Sequence, residues 1–400
     1  MVERLLVLET AQRQQRVSSD LIYLDEAATS WPKAPGVVEA ITSALVSPPG
    51  VGVGGIADDA SVARECRERL ARMLDVADPE RVILTTGASH ALNLAIHGTR
   101  RLRRVGAIAS CADHIAVLMP LYRLQQAKRI QLHIIGLDAT GQIDAAAFTA
   151  ALDCTVRLVV LPHASHVTGR IFDVKPLFVL AKSVGAETLL NAAQTIGEVP
   201  VIPADLKADM VAISGHKRLR GPAGTGALYV APHISLAPSC VCGDGVRYRW
   251  GPSTQLVLAD HGTAAAEPSA ADLAGLRAAL EWSWESAPSH RDQGYRLASI
   301  LRRGLRRIPG VHIVGSAPRS PRLPIVAFTA ANRLPDEVVR DLARLGVQCA
   351  GGVLCAPLIH KALGTRPQGA IRLSLSGLNS EDQIRTTLRA LRRVAARAAA

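Results

Sequence analysis

The sequence predicts an α/β fold: a large domain with a mostly parallel sheet, then a smaller α+β C-terminal domain. Three observations carry this. Short apolar runs alternate with helix-length segments over the first part of the chain, as strands and crossover helices do. Past His261-Gly262-Thr263 the alternation stops and a long helical pattern begins. At 400 residues with 48% hydrophobic and 20% charged composition, the chain is too long for one small core and too apolar for disorder.

The strand candidates, in order, are Arg81–Thr85, Ala107–Ser110, Gln131–Ile135, Leu158–Leu161, Thr188–Leu190, Met210–Ile213 and Ala227–Val230. Helix-length segments such as Leu177–Val184 lie between them. Residues 1–20 read as an N-terminal arm or helix, 21–265 as the large domain and 266–400 as the small one. The small domain should hold a helix over Ala270–Glu285, strands near Pro324–Thr329 and Ala370–Leu375, and a last helix from Ser380. Gln383 follows Ser380 by three residues, the spacing of a capping box. Ile384, Leu388, Leu391 and Val394 then repeat as one apolar stripe.

Composition narrows the function classes. No run of about 18 uncharged apolar residues appears, so no membrane span is expected. Residues 1–20 lack a secretory pattern, and a cytoplasmic location is expected. Seven scattered cysteines suit a reduced chain rather than a disulfide framework. Cys240 and Cys242 have no second ligand pair near them, so no metal site is expected. A net charge of +12 invites a nucleic-acid reading. The arginine clusters at 302–307 and 389–397 fall on amphipathic helical patterns without aromatic platforms, which favours solvated helix faces.

Chemistry concentrates at Ser214-Gly215-His216-Lys217, followed by Gly221-Pro222-Ala223-Gly224-Thr225-Gly226. A buried strand that ends here delivers an amine to the rim of a sheet. Desolvation there lowers a lysine's proton affinity and suits it to bond an aldehyde, as pyridoxal phosphate requires. Gly87-Ala88-Ser89 opens a helix after another strand, where free N–H groups can seat a phosphate.

Further motifs occur in the same order along the chain. They are Ile22-Tyr23-Leu24-Asp25-Glu26-Ala27-Ala28-Thr29, Asp113-His114, His163-Ala-Ser-His166-Val-Thr-Gly169, Ala192-Ala193-Gln194, Cys355-Ala-Pro-Leu-Ile-His360 and Arg372-Leu-Ser374. Together with Ser-Gly-His-Lys217 they resemble the cysteine desulfurases of the class V aminotransferase group, over nearly the whole chain. The resemblance implies a pyridoxal-phosphate enzyme of fold-type I that converts L-cysteine to L-alanine and leaves a persulfide on Cys355. It implies that Lys217 bonds the cofactor and His114 stacks on its ring. Ala88, Ser89, Ser214 and His216 would hold the phosphate, Gln194 and His166 would lie at the phenolic oxygen, and Asn191 at the ring nitrogen. Arg372 would bind the substrate carboxylate beside Ala28. Thr263 would reach the cofactor of a second subunit, so a homodimer is expected. A sulfur-acceptor protein is an expected partner.

The chain departs from that family around the cofactor. Asn191 stands where an aspartate is usual, His166 for an asparagine, His90 for a glutamate, Glu26 for an asparagine and Ala350 for an arginine. An amide cannot stabilise a pyridinium as a carboxylate does. A related pyridoxal-phosphate reaction is therefore an alternative: C–S lysis, β-elimination or transamination in specialised metabolism. A catalytically weak scaffold homologue is a third.

Overall fold

The computed structural model describes residues 21–47, 59–100, 102–237, 246–249, 255–258, 268–315 and 320–396. In chain order the first elements are β1 (Ile22–Tyr23), α1 (Val37–Val46), α2 (Asp59–Leu74), β2 (Val82–Thr85), α3 (Ala88–Gly98), β3 (Val105–Ser110), α4 (Ile115–Gln126) and β4 (Ile130–Ile135). Next come α5 (Ala145–Ala151), β5 (Val156–Pro162), α6 (Lys175–Ser183), β6 (Glu187–Asn191), α7 (Pro203–Leu206), β7 (Met210–Ser214) and β8 (Gly226–Val230). The rest are β9 (Val246–Arg249), β10 (Gln255–Leu258), α8 (Ala270–Leu305), β11 (Val311–Ile313), β12 (Ile325–Ala330), α9 (Pro335–Ala343), β13 (Val347–Gln348), α10 (Ile359–Ala362), β14 (Ile371–Ser374) and α11 (Glu381–Ala396).

All seven expected strands form one sheet, in the order β2-β8-β7-β6-β5-β3-β4. Only β8 runs against the others, pairing antiparallel with both β2 and β7. Strands covered on both faces read as continuous apolar runs rather than alternations. Accordingly β7 and β8 are buried at every position. Because β2, β3, β5, β6 and β7 share one direction, the loops that leave them open on one sheet edge. Ligands in such sheets bind beyond the strands' carboxyl ends.

A second core packs β11, β12 and β14 against α8, α9 and α11. Leu297, Leu301, Leu305, Phe328, Leu373 and Leu391 are its centre. Ile22 and Leu24 join this second core, and β1 pairs parallel with β13. The start of the chain thus contributes to the C-terminal packing, although its sequence position suggested the large domain. At α11 the capping box is formed: Ser380 Oγ accepts from the Gln383 N–H at 3.1 Å, and Gln383 Oε1 accepts from the Ser380 N–H at 3.1 Å.

One boundary needs correction. The helix expected to stop at Glu285 continues to Leu305, for 36 residues. Ser286-Ala287-Pro288 reads as a stop, since proline removes a helical hydrogen bond. Burial overrides it at both ends: Leu273, Leu276 and Leu280 seat in the large core, and Leu297, Leu301 and Leu305 in the small one.

Candidate active site

The loops after β2, β3, β5, β6 and β7 converge. Lys217 leaves β7 three residues past Ser214 and is partly buried, and its desolvation lowers its proton affinity from 10.5 to about 8. Desolvation dominates, and the guanidinium charges of Arg372 and Arg218 push the same way. A thiolate at Cys355 would push the other way, which puts its sulfur within electrostatic reach of the amine.

His114 caps α4: its Nδ1 accepts from the Ala116 N–H at 3.0 Å, which leaves the ring proton on Nε2. Burial, then the charges of Lys217 and Arg372, hold it near a pKa of about 4, so the ring is neutral at physiological pH. His166 meets it edge to face, with ring centroids 5.1 Å apart. The His166 ring, buried and held well below the ordinary histidine range, is 2.9 Å from the Leu354 carbonyl oxygen through Nε2. A carbonyl only accepts, so Nε2 carries the proton and donates it.

That bond matters because Leu354 and Cys355 both adopt left-handed backbone, with φ of 51° and 57°. A second bond, from the Ile115 N–H to the Cys355 carbonyl at 2.9 Å, ties the same loop to the turn that carries His114. Cys355 is exposed there. Cys349 differs: it is buried, and its thiol is pushed up to about 12.

Arg372 on β14 joins three segments. It donates to Asp25 Oδ1 at 2.7 Å and to the His166 carbonyl at 3.0 Å, while its backbone bridges Ala350. Its Nε has no partner and is buried. The guanidinium expected to meet a substrate carboxylate is thus already paired with a protein carboxylate, and its Nε–H and the second hydrogen of each terminal nitrogen are not used by these bonds. Ala28 is exposed, next to Ala27, whose N–H donates to Ser374 Oγ at 2.9 Å.

The remaining expected groups line the same edge. Ser214 Oγ and Gln194 Oε1 are buried without a hydrogen-bond partner. Gln194 donates through Nε2 to the Ala27 carbonyl at 2.8 Å and keeps a second Nε2 hydrogen. The first turn of α3 at Ala88 and Ser89 has no side-chain cap, because Gly87 precedes it. A Cβ on Gly226 would lie 2.6 Å from Gly87 Cα, so glycine at 226 lets this turn approach β8. The His216 ring sits 3.0 Å from the Thr29 hydroxyl. Asn191 accepts the Ala193 N–H on Oδ1 at 3.2 Å, which turns its donor nitrogen outward from that bond. A buried serine hydroxyl free to donate, a spare amide hydrogen on Gln194, an uncapped helix start and a desolvated amine together suit a phosphorylated aldehyde. Thr263 lies outside the described residues.

Three pairings escaped the sequence reading. Glu26 forms a buried ion pair with Arg220 at 3.1 Å, which gives the unusual glutamate a partner in the loop after Lys217. Asp25 holds Arg372. Lys33 reaches the Thr29 hydroxyl at 3.2 Å, and burial lowers its proton affinity. A charge pattern signals such ion pairs only when the partners are near in sequence, and Glu26–Arg220 and Asp25–Arg372 are not. His90, the other odd substitution, is engaged locally: its Nδ1 accepts from the Thr86 N–H at 3.3 Å.

Comparison with known proteins decides the family. The family model "Aminotransferase class-V" matches residues 22–386. The chain belongs to the class V aminotransferases. A cysteine desulfurase of Sinorhizobium fredii is 29% identical over 327 residues, covering 78% of this chain and 80% of that protein. A probable cysteine desulfurase of Methanothermobacter thermautotrophicus is 26% identical and covers 94% of this chain and 95% of its own length. Among solved structures, the cysteine desulfurase CsdA of Escherichia coli, in its S-sulfonic acid form, superposes with a TM-score of 0.85 at 25% identity. It covers 94% of this chain and 95% of that one. The class V aminotransferases are pyridoxal-phosphate enzymes, and this chain is similar to those of them named as desulfurases.

Proposed function

We propose that this class V aminotransferase is a pyridoxal-phosphate-dependent cysteine desulfurase, which takes sulfur from L-cysteine onto Cys355 and releases L-alanine. The supporting observation is the Cys355 loop: an exposed thiol on left-handed backbone, tied to His114's turn and to His166, within the field of the Lys217 amine. Lys217, Ser214, His216, Ala88, Ser89, Gln194, His114, His166 and Asn191 are the residues that would hold the cofactor. Bound there, pyridoxal phosphate supplies an electron sink that loosens the substrate's Cα–H and Cβ–S bonds.

The chain's own groups do the rest. Arg372 keeps N–H donors for a substrate carboxylate beyond its bonds to His166 and Asp25, and burial raises the proton affinity of Asp25. Lys217, at about 8, can hold or release a proton near neutral pH. His114 stays neutral and donates only through Nε2. The Cys355 sulfur attacks the substrate sulfur; the S–S bond forms as the Cβ–S bond breaks, and Cβ takes a proton. L-cysteine and one protein thiol become L-alanine and one persulfide, with no external oxidant.

A second reading, a pyridoxal-phosphate lyase or aminotransferase, is favoured by Asn191, whose Oδ1 is committed to Ala193. A homodimer, a cytoplasmic location and a protein sulfur acceptor belong to the main proposal on the strength of the resemblance. Product analysis with L-cysteine tests it: alanine with a persulfide on Cys355 supports desulfuration. Pyruvate in place of alanine, or turnover surviving Cys355→Ala, supports the second reading.

A further inference from the structure

The two arginine clusters, distant in sequence, face each other across a groove of about 410 Å³ between α8 and α11. Arg303 and Arg307 stand four apart on one wall; Arg385, Arg389 and Arg392 follow the helical repeat of the other. The helices approach closely because α8 has glycine at 304, where a Cβ would collide with Leu388. Leu388 and Ile300 form an apolar floor.

Charge in this groove is poorly matched within the chain. Arg385 is paired with Glu381, at 3.2 Å from its Nε, and Arg389 donates to the Thr386 hydroxyl at 2.8 Å. Arg303, Arg307 and Arg392 have no carboxylate partner among the described residues. Like charges held together without counterions oppose folding, so an anionic occupant is favoured.

The neighbouring surface says which kind. Arg392 also borders a second groove of about 420 Å³, whose walls include Ile308, Pro309, Ala330 and Ala331. A cationic groove and an apolar one thus meet at one side chain. Nucleic acid would gain from aromatic stacking platforms, and neither groove has one. Guanidinium forks four residues apart match carboxylates four apart on a helix, and the apolar groove takes that helix's other face. We infer that this surface docks an acidic, amphipathic helical segment of a partner protein.

None of these residues belongs to the Lys217 pocket, so the test stands apart from the proposed activity. The probe is a fluorescein-labelled helical peptide with glutamates at i and i+4 on one face and leucines on the other, read by anisotropy against the full-length protein. Expected is binding that weakens as salt rises and falls at least about tenfold in the R303E/R389E/R392E variant. Should that variant fold poorly, Ala331→Glu, an exposed change in the apolar groove, decides the matter by the same loss. Unchanged affinity in the folded variants overturns the inference. Equal binding of a scrambled peptide of the same composition, or of a single-stranded oligonucleotide of the same charge, overturns it too.

Discussion

Removing the His166 imidazole should slow sulfur transfer by displacing Cys355, without touching the thiol itself. Left-handed backbone costs a non-glycine residue about 1–2 kcal/mol, so Leu354 and Cys355 together carry roughly 2–4 kcal/mol of strain. Each hydrogen bond to their carbonyls contributes about 0.5–1.5 kcal/mol net. In His166→Ala the loss is therefore comparable to the strain held in one residue, and the loop relaxes. A displacement on the order of 1 Å at a reacting atom costs roughly a hundredfold in rate. Single-turnover persulfide formation, followed by mass spectrometry of the Cys355 peptide, should fall by about that factor. Iodoacetamide labelling of the exposed thiol should continue. Gln at 166 can still donate an N–H to the Leu354 carbonyl, and should recover the rate to within about tenfold. A rate within about threefold of wild type in His166→Ala would refute this reasoning. Equal damage from Gln and Ala would point instead to proton transfer by the imidazole.

Other expectations follow from the same geometry. Lys217→Met should stabilise the cofactor-free protein at neutral pH. The folded lysine sits at about 8 rather than 10.5, so the unfolded chain binds more protons between those values and wild-type stability rises with pH through that window. The gain, on the order of 3 kcal/mol at pH 7, should vanish above about pH 10.5 in denaturant titrations. Glu26→Gln breaks a buried ion pair with Arg220 and should cost about 3–5 kcal/mol by the same titration. Gly226→Ala forces a Cβ against Gly87 and should weaken pyridoxal phosphate binding more than tenfold, measured by equilibrium dialysis. Among the described cysteines, alkylation at pH 8 should label Cys154 and Cys355; Cys66, Cys111 and Cys349 are buried with thiols pushed up to about 12, 11 and 12.

The large sheet was legible because its central strands, such as β7 and β8, are buried on both faces, so each appears as a compact apolar run. The edge that holds Lys217, His114, Gln194 and Asn191 was legible too, since parallel strands send their following loops to one side. What escaped depends on long-range pairing. Nothing local in Ile22-Tyr23 announces β13 as its partner, and β1 is only two residues long. The continuation of α8 past Glu285 escaped because Pro288 is a local stop signal, while the apolar stripe that overrides it needs two separate cores. Likewise, His166 reads as a histidine in a turn; only the fold brings Leu354 beneath it.

Lys217 can be tested most directly by peptide mapping. The protein is incubated with pyridoxal phosphate, reduced with borohydride, digested and mapped by mass spectrometry. The reduced cofactor is expected on Lys217 alone, with loss of visible absorption on reduction. A protein that stays colourless, or label spread over exposed lysines with Lys217 unmodified, would contradict a cofactor held at this sheet edge.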